Sequence, residues 1–217
     1  VLSKKAAAGS THVVIDIPVG PTAKVRSQEQ ALKLQYYFRA VAEAIGLQVE
    51  VAISDGAQPV GKGMGPALEA MDILAILRNE PEAPEDLRQK SLHLAAILLE
   101  LSGKFSKDKS HDAAREILES GKAFQKFMAI CRLQGGFKEP TFAKYKYDHV
   151  SLKEGVVKQI DNRKLARIAK LAGAPQSPRA GVQFFATLGK RVGKGETLLT
   201  IYADALGELE YAKDYLN

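Results

Sequence analysis

The sequence holds one cysteine, Cys131, no apolar stretch of membrane-spanning length, and no internal repeat or low-complexity tract. A lone cysteine excludes an intrachain disulfide and any cysteine-based metal cluster, and it agrees with a reducing compartment. Cys131 sits in the apolar helical run FMAICRL, where burial rather than reactivity is the expected use of a thiol. A membrane span needs about 20 consecutive apolar residues. Neither such a run nor a signal-peptide pattern is found, which predicts a soluble, cytoplasmic protein with no membrane partner. An initiator methionine is also absent. The chain opens on VLSKKAAAG, already inside a helical pattern whose start signal is missing, and so reads as the C-terminal part of a longer protein.

What is present suits a globular protein: 217 residues, 46% hydrophobic and 26% charged, enough for one large domain or two smaller ones. A net charge of +6 and a pI near 9.3 permit nucleic acid, an anionic metabolite or neither as partner. Basic and aromatic residues interleave in FKEPTFAKYKYDH, residues 137–149, as they do in some single-strand binding surfaces. No RNP-like, zinc-finger or helix-turn-helix signature accompanies them. A solvated interdomain segment is therefore expected there, and nucleic acid is not an expected partner.

HVVIDIPV, residues 12–19, is rich in β-branched residues and ends at Gly20-Pro21, the pattern of a buried strand leading into a loop. Ser27 is placed to cap a helix, with Gln30 three residues on. Ala31, Leu34, Phe38, Val41 and Ile45 share the predicted core face, and Gly46 stops the helix. QVEVAI, residues 48–53, completes a βαβ unit. SDGAQPVGKGMGP, with four glycines and two prolines, is expected to be irregular. Helices follow over ALEAMDILAIL, residues 86–102, and residues 110–133 with a break near Ser120-Gly121. After Gly135-Gly136 the character changes: GVVKQI is a predicted strand, DNRKLARIAKLAG a short helix capped by Asp161, GVQFFATLGKRVGKGETLLTIYAD strands around glycine turns, and LGELEYAKDYL a last helix. The expected fold class is α/β: residues 1–140 as part of a mixed-sheet domain with helical layers, then residues 141–217 as a small α+β domain.

Three segments could carry chemistry. SKKAAAG puts Lys4 and Lys5 beside small residues that allow close approach, although a solvated lysine pair is the plainer use. VGPTAKV lies where open α/β sheets bind ligands, at the end of a strand, and Lys24 there could meet an anion or simply ride an exposed turn. In QPVGKGMGPALEAMD the spacing of Gly61, Gly63 and Gly65 is wrong for a dinucleotide loop. Such a loop can instead turn carbonyls inward, and Asp72 on the next helix could complete a hard-oxygen cation site.

Taken in order and spacing, SKKAAAGSTHVVIDIPVG, ISDGAQPVGKGMGPALEAMDIL, DLRQKSL, SGKAFQKF and DNRKLARIAKLAGAP…GKRVGKGETLLTIYA resemble the pyrimidine-nucleoside phosphorylase family. That group includes thymidine phosphorylase and the AMP phosphorylases, and the resemblance spans nearly the whole chain. It implies a pentosyltransferase in which phosphate, as co-substrate, attacks the sugar C1′ and releases free base and pentose 1-phosphate. It also explains the opening, since the SKK segment lies mid-chain in the family. By resemblance, Lys4 contacts the base and could stabilise the departing anion. Lys24 lies in the substrate site. Thymidine phosphorylases commonly have an aromatic residue there and AMP phosphorylases a lysine, which tilts the substrate towards a nucleotide.

The resemblance further implies an alkali cation, potassium, held by the carbonyls of Val60 and Gly63 and the carboxylate of Asp72, a position where some relatives have Glu. The glycine-rich phosphate loop and the remaining base contacts lie upstream in the family, so this chain by itself is expected to be inactive. The full-length chain is expected to be a homodimer. GKRVGKGETLLTIYA also resembles half of a barrel-sandwich carrier fold, but it has no Met-Lys-Met turn, which argues against a carrier. A non-catalytic binding or assembly protein that kept the sheet stays open as the alternative class.

Overall fold

The computed structural model describes residues 1–216, and the chain divides into two compact units. The first comprises Val1–Ala57 and Asp86–Ala123. It opens with helix α1 (Leu2–Ala7), followed by strand β1 (His12–Val19), helix α2 (Gln28–Ala44) and strand β2 (Gln48–Asp55). The two strands pair in parallel along their full length, from His12↔Gln48 to Val19↔Asp55, as the β-branched runs and the crossover helix require. Ser27 Oγ accepts the amide of Gln30 at 3.2 Å, and Gln30 Oε1 in turn accepts the amide of Arg26 at 3.2 Å, so the expected cap forms.

The buried face of α2 differs from the predicted one. Ala31 and Ala42 are buried and Phe38 packs beside them, whereas Leu34, Val41 and Ile45 are exposed. Two apolar stripes lie side by side on this helix, and the small alanines set the one that closes on the strand pair. Leu2 of α1 joins Val13, Ala42 and Leu47 in one cluster, while Ile17, Ala31 and Val51 form another. Helices α4 (Glu85–Leu101) and α5 (Lys107–Glu119) follow further along the chain.

A charged cluster ties α4 to the strands. Lys90 Nζ lies 2.6 Å from Asp16 Oδ2, Ser54 Oγ donates to Asp16 Oδ1 at 2.6 Å, and Lys90 Nζ donates to Ser54 Oγ at 3.1 Å. The ionic side chains are only 20% and 22% exposed, so losing one partner strands the other in a poorly solvated place. Lys90→Ala is expected to lower stability by about 2 kcal/mol, read as a drop in the urea midpoint. An unchanged midpoint would show that solvent already screens the pair.

The second unit comprises Gln58–Glu85 and the described residues from Phe124 onward. It contains β3 (Gly63–Met64), α3 (Pro66–Leu77), most of α6 (Lys122–Leu133), β4 (Tyr145–Val150), β5 (Gly155–Val156), α7 (Asn162–Leu171), β6 (Gly181–Phe184), β7 (Arg191–Val192), β8 (Thr197–Ala203) and α8 (Leu206–Leu216). A four-stranded antiparallel sheet runs β3-β6-β8-β4, and β5 pairs with β7. Its core joins Ile168 and Ala172 to Val182, Ile201 and Ala203, each essentially inaccessible to solvent, with Leu209 and Ala212 of α8. Segment 58–85, read from sequence with residues 1–140, packs in this unit because β3 is a strand of its sheet. The mixed α/β class agrees with the sequence reading.

Four local expectations need correction. Residues 145–150 form a strand rather than a solvated segment: Tyr145, Tyr147 and His149 turn inward while Lys146 and Asp148 face out. GVVKQI is a strand only at Gly155–Val156; past Val157 the chain turns in, burying Ile160 and presenting Asp161 as the cap of α7. The glycine-rich loop includes the short strand β3, and Cys131 is half-buried rather than buried.

Candidate functional site

In the second unit the glycine-rich loop is held by side chains of the helix that follows it. Asp72, on the second turn of α3 and 8% exposed, accepts the amides of both Lys62 and Gly63 on the same oxygen, Oδ2, at 2.7 Å each. The Gly63 amide belongs to the same peptide plane as the Lys62 carbonyl, which accepts the Phe184 amide at 2.8 Å. That plane is therefore clamped from both sides. Glu69 Oε1 accepts the Gly65 amide at 3.0 Å, Gln58 Oε1 accepts the Leu188 amide at 2.8 Å, and Lys62 Nζ donates to the Glu82 carbonyl at 2.9 Å. A Cβ on Gly63 would run into the carbonyl of Leu68, so only glycine lets the loop lie this close to α3. Val60 is half-buried in the same loop, three residues before Gly63.

This arrangement can be tested against a cation. Among the described residues no group of three or more His, Cys, Asp and Glu side chains could hold a metal, so a cation here would be held through carbonyls. Both amide bonds fall on Oδ2 of Asp72, and no bond to a described residue engages Oδ1. One carboxylate oxygen thus organises the loop and the other stays available. Together with backbone oxygens this is the hard, oxygen-only donor set of an alkali or alkaline-earth cation.

The two lysines belong to the first unit. Lys4 is exposed on α1, whose Leu2 anchors the helix at 5% exposure. The Lys4 carbonyl accepts the Ala8 amide at 3.2 Å as the helix ends. Lys24 is exposed in a turn that closes on itself: the Gly20 amide donates to Val25, the Ala23 amide donates to Gly20, both at 3.1 Å, and Val19 bridges Val25. The turn presents Lys24 Nζ outward at the end of β1. Neither lysine makes a side-chain hydrogen bond or ion pair with a described residue. In the second unit a hydrogen bond joins Gly63 to Asp72, with Val60 three residues earlier on the same loop; Lys4 and Lys24 have in common only that they belong to the first unit.

The Asp16–Ser54–Lys90 cluster is not singled out by the sequence. Ser54 stands 38 residues from Asp16 and 36 from Lys90, and the one local signal is an aspartate inside an otherwise β-branched strand.

Comparison with known proteins covers the whole chain. Residues 156–217 match the pyrimidine nucleoside phosphorylase C-terminal domain. Over 216 residues the chain is 56% identical to a Hahella chejuensis protein and 54% identical to one from Legionella pneumophila, each named "Putative thymidine phosphorylase". It is 52% identical over 217 residues to "Putative thymidine phosphorylase 1" of an Acidovorax species. These alignments take in all of this chain but 43%, 42% and 42% of the three relatives, so the chain spans about two fifths of their length.

Proposed function

We propose, from the premise that the chain belongs to the pyrimidine nucleoside phosphorylase family, that it is part of a pentosyltransferase acting with phosphate on a nucleoside of the thymidine type. The observation that carries this reading is a similarity of 56% identity running across 216 residues, through both units. In the reaction a phosphate oxygen bonds to C1′ while the C1′–N bond breaks. Its electron pair leaves with the base, giving free base and pentose 1-phosphate. Positive charge gathers on the sugar and negative charge on the base, so a cation beside the base lowers the barrier. Lys4 is assigned that place, and Lys24 the substrate beside it.

The carbonyls of Val60 and Gly63 and Oδ1 of Asp72 are assigned to an alkali cation, potassium. Bound there, the cation supplies charge for hard oxygens to gather on and makes no covalent bond. Asp72 meanwhile holds the loop amides through Oδ2. The phosphate-binding groups are assigned to the part of the relatives' length outside these 217 residues. The chain by itself is then inactive, and the full-length protein works in the cytoplasm as a homodimer.

A second reading, cleavage of a nucleoside 5′-monophosphate such as AMP, is favoured by Lys24, whose ammonium stands exposed where a 5′-phosphate could meet it. Phosphorolysis of thymidine and AMP by the full-length protein separates the two readings. Lys24→Ala is expected to lower kcat/KM for the 5′-phosphorylated substrate about tenfold more than for the unphosphorylated one. Equal losses would remove the case for a nucleotide. Full-length protein that binds neither nucleoside nor phosphate would sink the whole reading.

A further inference from the structure

The second unit contains an open cleft of about 420 Å³. Its floor is apolar: Leu165 and Ile168 of α7, Phe184 of β6 and Leu199 of β8. A cleft this size, apolar within and polar at one end, has the form of a small-ligand pocket.

The polar end is made by His149 of β4 and Lys164 of α7. Lys164 Nζ donates one bond, to the Leu216 carbonyl at 2.9 Å, which leaves two of its three ammonium hydrogens. His149 is half-buried and makes no hydrogen bond to a described residue. Desolvation, and then the nearby Lys164 charge, hold the imidazole below its ordinary pKa, so it is neutral at pH 7. The other charged groups lining the cavity are Lys153 and Glu154, an exposed pair of opposite sign, and Asp161, whose carboxylate accepts the Arg163 and Lys164 amides at 2.9 Å. Of the donors lining the cleft, the Lys164 ammonium and the neutral imidazole N–H of His149 are half-buried, whereas Lys153 and Gln159 are exposed to solvent. The half-buried pair matches the two oxygens of a monoanion. A phosphate dianion would bring more charge than this end can balance, and a neutral molecule would leave the ammonium unmatched.

We propose that this cavity binds a small amphipathic monocarboxylate, with its apolar body on Ile168, Phe184 and Leu199 and its carboxylate between the Lys164 ammonium and the His149 imidazole. Such a site would let a metabolite of another class occupy the C-terminal domain.

The test titrates octanoate, octanol and octylamine into the full-length protein and follows methyl and imidazole resonances by NMR. Octanoate is expected to shift the Leu165, Ile168 and Leu199 methyl signals saturably. It should also raise the His149 pKa, because an adjacent anion favours the imidazolium. Octanol, with the same tail and no charge, should bind at least about tenfold more weakly, and octylamine more weakly still. Lys164→Met should cost octanoate about tenfold or more, while Lys164→Arg retains it. Since Lys164 also holds the Leu216 carbonyl, a second variant keeps the test decisive: Ala186→Leu fills the cavity, leaves every charge in place and should abolish octanoate binding. The proposal is overturned if no probe binds, if octanol matches octanoate, if His149 does not respond, or if the Ala186→Leu variant binds as the parent does.

Discussion

A chain carrying Gly181→Ala is expected to lose at least about 3 kcal/mol of stability in the unit built on the four-stranded sheet. Gly181 starts β6 at φ +155°, a backbone region that side chains rarely enter. A Cβ there would be driven into the Met64 carbonyl oxygen and would stand 2.9 Å from Leu68 Cδ1. Neither neighbour can yield cheaply. Met64 is paired with Val182 in the sheet, and Leu68 is 2% exposed. Gly189→Ala is the control: its φ is also positive, at +80°, but nothing lies within 4 Å of its Cβ. That change should cost about 1 kcal/mol, from the backbone alone. Urea unfolding followed by circular dichroism reads both. Equal midpoints for the two variants would mean the crowding at Gly181 relaxes freely.

The second large effect is expected at Asp72. Asp72→Ala leaves the amides of Lys62 and Gly63 without their shared acceptor, in a place the protein largely shields from water. The expected loss is about 3 kcal/mol, the cost of unsatisfied donors added to a lost charge-assisted bond. Asp72→Asn keeps an acceptor of the same shape and should cost about half as much. The cation assignment adds a separate signature, because a ligand that binds only the folded state raises the melting temperature. Potassium chloride should raise Tm of the parent relative to choline chloride at equal ionic strength, and Asp72→Asn should abolish that difference. If potassium and choline act alike on the parent, the cation assignment fails while the loop-holding role of Asp72 stands.

The elements most legible in the sequence are those whose signals are local. The β-branched run of β1 and the Ser27 cap with Gln30 need no knowledge of the rest of the chain, and both are found where expected. The same holds for Asp161, whose carboxylate caps α7. What local signals leave undecided is which of two adjacent apolar stripes faces inward. On α2 that choice is made by the strand pair, which admits Ala31 and Ala42 and leaves Leu34, Val41 and Ile45 outside. Strand β4 escapes notice for a related reason. Its alternation Tyr-Lys-Tyr-Asp-His-Val has charges at every second place, so composition suggests solvent while the period of two carries a half-buried strand.

The candidate cation loop shows a similar division. A turn rich in glycine is plain in the sequence, and the donor residues are suggested by resemblance. The two hydrogen bonds that successive amides donate to one Asp72 oxygen cannot be read from a spacing of nine or ten residues. It depends on how the first turns of α3 lie against the loop.

Strand β4 has one further consequence, for encounters between molecules. Each end of the four-stranded sheet offers a row of backbone groups to which a foreign strand could add. At one end β3 is only two residues long, too short to template anything. At the other, β4 carries Lys146 and Asp148 outward, and its pairing with β8 slips between His149 and Val150. An incoming strand would have to bury those charges and follow a backbone that has left its register. The sheet is thereby kept at four strands, and amyloid-like stacking along either edge has no template from which to grow.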